Sequence, residues 1–163
     1  MKQVLTFISL ILLATGCSTD SDSLQSILGQ ENTHFRGNSI GDKFKKVLKE
    51  TEDDHVVSNT ENGINCEIQV AETEMLVRYE FDQEELYSIQ ADIFFSDSTE
   101  LMQFQEELVS LYNDNYGEVN ENGGFLVWKA RANSGAEVQF AVADESIEFG
   151  RPKLSLTIYN FGY

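Results

Sequence analysis

Metal-binding side chains are scarce in this sequence. Two histidines and two cysteines are all that 163 residues provide. His34 and His55 stand apart, with no His-x-x-x-His or Cys-x-x-Cys spacing around them. A zinc site draws on three or four nitrogen or sulfur ligands, so neither a metal nor any other cofactor is expected. A Gly-x-Ser-x-Gly nucleophile elbow and a glycine-rich phosphate loop are also missing; Gly123-Gly124 reads as a simple strand entry. Basic residues are few, with 11 Lys and Arg against 28 Asp and Glu and a net charge of −17. No basic stripe offsets that field, so nucleic acid phosphate and anionic headgroups are repelled. An apolar run long enough for a bilayer, about 20 residues, is lacking too. The stretch from Val4 to Ala14 supplies roughly half of it, and Ser18-Thr19-Asp20 ends it.

What is present at the N-terminus is an address. Lys2, the apolar stretch and the small residues Ala14, Thr15 and Gly16 lead to Cys17. A basic start, an apolar core of about 7–15 residues and a small-residue exit make a secretory signal. Leu13-Ala14-Thr15-Gly16-Cys17 resembles the lipobox of bacterial lipoproteins, with Ala14 where that family most often has leucine. The resemblance covers about the first tenth of the chain. It implies cleavage between Gly16 and Cys17, a thioether-linked diacylglycerol on Cys17 and an acyl group on its new amine. Ser18 after the cysteine leans toward the outer membrane, periplasmic or surface face, and Thr19-Asp20-Ser21-Asp22 is similar to surface-export tags of some Bacteroidota lipoproteins. Each buried CH₂ contributes about 0.8 kcal/mol, so two or three chains hold where one does not. Cleavage removes Lys2 and no acid, and the charge moves from −17 to −18.

Three segments are expected: a signal peptide over 1–16, a lipidated flexible tether over 17–38 and one domain over 39–163. The tether is polar and rich in Ser, Asp, Asn and Gln, with a reach of roughly 25 Å. Leu24, Ile27 and Leu28 interrupt it at helical spacing before Gly29, predicting a two-turn helix that docks on the domain or stays nascent. Asn38 or Ser39 is the expected cap of a first domain helix running to about Glu50, with Ile40, Phe44, Val47 and Leu48 as its apolar stripe. Lys43, Lys45, Lys46 and Lys49 lie on its other side, either as a solvated face or as a docking patch for an acidic partner.

The period then changes from 3.6 to 2. His55-Val56-Val57-Ser58 reads as a short strand, and Ile64 to Val70, Met75 to Phe81 and Tyr87 to Phe95 alternate apolar with polar residues, separated by Glu61-Asn62-Gly63, Ala71-Glu72-Thr73 and Asp82-Gln83-Glu84. Asp97 with Glu100 predicts a capping box for a helix carrying Leu101, Phe104, Leu108, Leu111 and Tyr112 and ending at Gly117. Phe125 to Ala130, Glu137 to Ala143 and Lys153 to Asn160 follow as strands, the first two joined at Asn133-Ser134-Gly135. The expected fold is therefore α+β: an antiparallel sheet of about seven strands with two helices on one face, in the order helix, four strands, helix, three strands. It reads as two imperfect copies of a helix followed by a meander. Ile40-Gly41-Asp42 with Val47-Leu48 is similar to the repeat start of BLIP-like and SmpA-type envelope lipoproteins, although the threonine usual after the glycine is missing and the long Leu101–Tyr116 helix departs from those short repeats.

Candidate chemistry is thin. Asn113-Asp114-Asn115 lacks the alternating oxygens and distal glutamate of a calcium loop and reads as a helix end. Cys66, in an alternating apolar row, reads as a buried thiol. Trp128 alternates with Leu126 and Ala130; if that row faces away from the helices, it is an apolar binding surface, and otherwise it is core. The expectation is a non-catalytic lipoprotein, a binding or assembly module of the cell envelope with an unspecified protein partner. A narrower form is an inhibitor or immunity protein that masks a basic target. The rival expectation is a small carboxylate-dependent hydrolase of envelope glycans, requiring two carboxyls in one cleft.

Overall fold

The computed structural model describes residues 20–29, 32–132 and 135–162, so Gly16, Cys17 and the turn residues Asn133 and Ser134 lie outside the described residues. Among the described residues four α-helices, α1 (Asp20–Leu28), α2 (Phe44–Glu50), α3 (Ser98–Tyr116) and α4 (Ser146–Phe149), accompany eight strands. These are β1 (His55–Thr60), β2 (Gly63–Val70), β3 (Thr73–Asp82), β4 (Glu85–Phe94), β5 (Asn120–Asn122), β6 (Phe125–Arg131), β7 (Glu137–Asp144) and β8 (Lys153–Asn160). The class is the expected α+β with one antiparallel sheet, but the strands number eight rather than seven.

The sheet order is β1-β2-β3-β4-β8-β7-β6-β5. Two four-stranded meanders thus meet through their last strands, where Ile89 pairs with Ile158 and Ala91 with Leu156. A local two-fold normal to the sheet relates them, carrying the Val77–Ala91 pair onto the Val142–Leu156 pair. The strand missing from the sequence reading, β5, completes the second copy. Gly123 and Gly124, expected only to enter a strand, form the turn of the β5–β6 hairpin, both at positive φ (61° and 88°) as a two-residue hairpin loop requires.

Alternation along the strands sets one face against the helices. Ile64, Tyr79, Ile89, Ile158, Phe140 and Trp128 form a continuous buried row through successive cross-strand pairs. A parallel row runs through Cys66, Val77, Ala91, Leu156, Val142 and Leu126. Each fully buried large apolar side chain stabilises the fold by about 1.5–3 kcal/mol relative to exposure. α3 lays Leu101, Phe104, Leu108 and Tyr112 on this face, with the Tyr112 ring 5.2 Å from Trp128 and 5.1 Å from Phe140. α2 adds Val47, and the Phe44 ring meets Phe81 at 5.0 Å. Three helices cover this face, α1 stacking on α3, whereas the single turn α4 leans on the opposite face through Phe149 and Phe94.

Local departures have local causes. The Asp97 side chain accepts from Thr99 N and Glu100 N, while Glu100 Oε2 accepts from Ser96 N at 3.2 Å, so the capping box is displaced by one residue. α2 starts at Phe44 with Lys43 as its first flanking residue and no side-chain cap. Asn38 and Ser39 belong instead to a turn, where Ser39 N donates to Asp42 Oδ2 at 2.7 Å. In β4 the pairing shifts between Glu80–Ser88 and Phe81–Leu86, leaving Tyr87 as the extra residue. That bulge sends Leu86 into the core in place of Tyr87.

The folded unit also begins earlier than residue 39. Ile27 is 1% exposed and Phe35 and Asn38 are fully buried, so the expected flexible tether is corrected over this stretch. α1 stops at Gly29 (φ +84°), whose missing Cβ allows Arg36 to approach: an added Cβ would sit 2.6 Å from Arg36 Cα. The Arg36 guanidinium then reaches Asp54, itself nearly buried, at 3.0 Å.

Candidate functional site

The residues singled out from the sequence do not form one site. Trp128 faces the helices, is 1% exposed and donates from Nε1 to Asn113 Oδ1 at 2.9 Å. Leu126 lies half-buried in the adjacent inward row. Both are core, so the open apolar surface built on them is withdrawn. Lys43 pairs with Glu85 at 2.7 Å, and Lys46 binds Asp42 and the Gly37 carbonyl. The neighbouring acids answer these two lysines one for one. Asn113 lies inside α3 and holds Val119 N and Trp128 through one oxygen. No group of three or more His, Cys, Asp or Glu suited to a metal occurs among the described residues.

Two places gather chemistry instead. The larger is a groove of about 840 Å³ between α1, the 32–42 turn region and the C-terminal end of α3, within the size range of small-molecule sites, about 300–1,000 Å³. Its wall is aromatic. Tyr116 stacks on Phe140 with centroids 4.4 Å apart and planes 19° apart, Tyr112 tilts against both, and His34 meets Phe140 edge-on at 5.5 Å. The polar rim includes Asn32, Ser39, Asp42, Lys46, Asn115 and Arg131.

His34 Nδ1 accepts from Ile40 N at 3.0 Å, which fixes the proton of the neutral ring on Nε2. Burial lowers its pKa, against a weaker upward pull from Asp42. Burial likewise pushes the phenols of Tyr112 and Tyr116 upward, so both are neutral donors at any physiological pH. The Tyr112 hydroxyl is buried and has no hydrogen-bond partner among the described residues. An unmade bond of that kind costs about 1–3 kcal/mol.

The second place is a polar cluster on the opposite sheet face. Lys153 is 2% exposed, with Nζ 2.7 Å from Glu145 and 3.0 Å from Asp92 and lying 3.5 Å over the Phe149 ring. Ser155 Oγ lies 2.7 Å from Glu145 Oε2 and 3.0 Å from Asp92 Oδ1, with its one proton shared between the two carboxylates. Burial pulls the Lys153 pKa down, but the hydrogen bonds to Glu145 and Asp92 outweigh it and leave the ammonium above its ordinary value. Glu145 is held below the usual carboxylate range, first by its bond to Lys153 and then by Ser155. A lysine held protonated cannot activate Ser155, and a carboxylate held ionised cannot act as a general acid. The cluster fastens α4 onto β4 and β8.

Sequence reasoning missed the groove. His34 stood in the supposed tether, Tyr116 at a helix end and Arg131 at a strand end, with no spacing to connect them. Leu24, Ile27 and Leu28 were the available signal, because a docked stripe brings the following turn onto the domain. Comparisons with protein-family profiles, with curated proteins and with solved structures find no match to this chain.

Proposed function

We propose that this chain is a non-catalytic binding module of the bacterial cell envelope, held to a membrane, the outer one by the choice of Ser18, through lipid on Cys17. The groove of about 840 Å³ carries the binding half of this reading: it is concave, aromatic on one side and polar at the rim, and its nearest titratable groups are neutral or ion-paired. The Leu13–Cys17 sequence carries the anchoring half. Asp92 and Glu145, the acids that do meet across one polar cluster, are engaged by Lys153 and Ser155, which favours binding over the carboxylate hydrolase. The narrower form, an inhibitor or immunity protein shielding a basic target, draws on the net charge of −17 and entails a complex that salt dissociates.

The test is fractionation of cells making the Cys17→Ala variant beside the wild type, with mass spectrometry of the wild-type N-terminus. Acylated Cys17 and a variant that leaves the membrane fraction are expected. A variant that still sediments with membranes sinks the anchor.

A further inference from the structure

We propose that the groove between α1 and α3 binds a neutral saccharide unit, an inference that rests on the binding-module reading and names its ligand class. A pyranose has an apolar C–H face and an edge of hydroxyls that each donate and accept. The groove offers the counterpart of both. Tyr116, backed on one side by Phe140 at 4.4 Å, stands in the wall as a ring fixed in orientation, and a ring held in place is the platform a flat C–H face stacks on. Around it Asn32, Ser39 and Asn115 supply amide and hydroxyl groups at the rim, which both donate and accept.

Charge decides against the other ligand classes. Lys46 is matched by Asp42, and Arg131 by Glu137 at 3.3 Å, so the described residues lining the groove offer no unanswered cation for a carboxylate, sulfate or phosphate. The surrounding net charge of −17 adds a repulsive field for any anion. A purely apolar ligand such as an acyl chain would strand the rim amides and the Lys46–Asp42 pair without water. A neutral polyol avoids both penalties.

Trp128, the chain's single tryptophan, touches Tyr112 at 5.2 Å, so its emission reports on the groove. The experiment titrates the full chain, in a detergent without a sugar headgroup, with N,N'-diacetylchitobiose, cellobiose and maltose, and with dodecanoate for comparison. A saturable change with at least one disaccharide and none with dodecanoate is expected. Tyr116→Ala should weaken binding about tenfold or more, with Lys129→Ala on the opposite sheet face neutral. Asn115→Ala, at an exposed position, should also weaken binding and guards against a Tyr116→Ala chain that fails to fold. Absence of saturation with all three sugars, saturation by dodecanoate instead, or full affinity in both Tyr116→Ala and Asn115→Ala overturns the inference. If the sugars fail while Cys17→Ala still frees the chain from membranes, only the ligand class is lost and the anchored module stands.

Discussion

At the scale of single residues, His34 joins the turn to the groove. Its neutral ring accepts the Ile40 amide, and protonation at Nδ1 would abolish that bond. Because burial lowers its pKa from the ordinary 6.5, the unfolded chain takes up the proton at a higher pH than the folded one. The stability contributed by the neutral ring is therefore whole above about pH 6.5 and is lost as pH falls toward the depressed folded value. Asp42 faces the ring and opposes the shift, while Phe140 meets it edge-on and Ile40 N donates to it. Urea midpoints measured at pH 7 and pH 5 should fall less in His34→Gln, whose amide oxygen accepts at both, than in the parent. An equal fall would remove His34 from the account. Cys66 illustrates a residue whose fate was readable: its place in an alternating row predicts burial, and it is 2% exposed with its thiol pushed up to about 11 by that burial.

At the scale of elements, α1 is the segment whose attachment matters most. Gly29 allows the chain to turn back with φ +84° and lets Arg36 pass where a Cβ would meet its Cα at 2.6 Å. A Gly29→Ala substitution strains the turn by about 1–2 kcal/mol and should release α1 while the sheet persists. Limited proteolysis should then cut within residues 23–38 about tenfold faster, and unaltered cleavage would contradict the docking. The long strands and α3 were legible because each repeats its apolar residues often enough to show a period. β5 was not, since Asn120-Glu121-Asn122 is exposed throughout and carries no apolar residue to betray it. Tyr87 misled for another reason: a one-residue bulge inverts the parity that alternation relies on, and nothing in the local sequence marks it. The groove was illegible because it is assembled from α1, the turn after it, α3 and β6, segments that only the tertiary fold brings together.

For the whole molecule, the corrected boundary has an energetic meaning. A chain beginning at residue 39 loses Ile27 and Phe35, both buried in the common core, and should be less stable by about 4 kcal/mol than one beginning at residue 18. Urea denaturation of the two separates this from a domain that starts at 39, for which the midpoints would coincide. The two meanders meet at β4 and β8 and share one core, so both lengths of chain should unfold in a single transition.

The arrangement of outermost strands has a last consequence. A sheet that does not close leaves two rims of unpaired amides and carbonyls, onto which another copy could add its own chain. Here one rim is β5, only three residues long and centred on a glutamate, followed by the short outer edge of β6 from Trp128 to Arg131, which carries Lys129 and Arg131. The other is β1, whose pairing slips between Val56 and Ser58 and so breaks the even spacing that a newcomer must match. Neither offers a straight template, and crowding many copies together should therefore not zip them into fibrils.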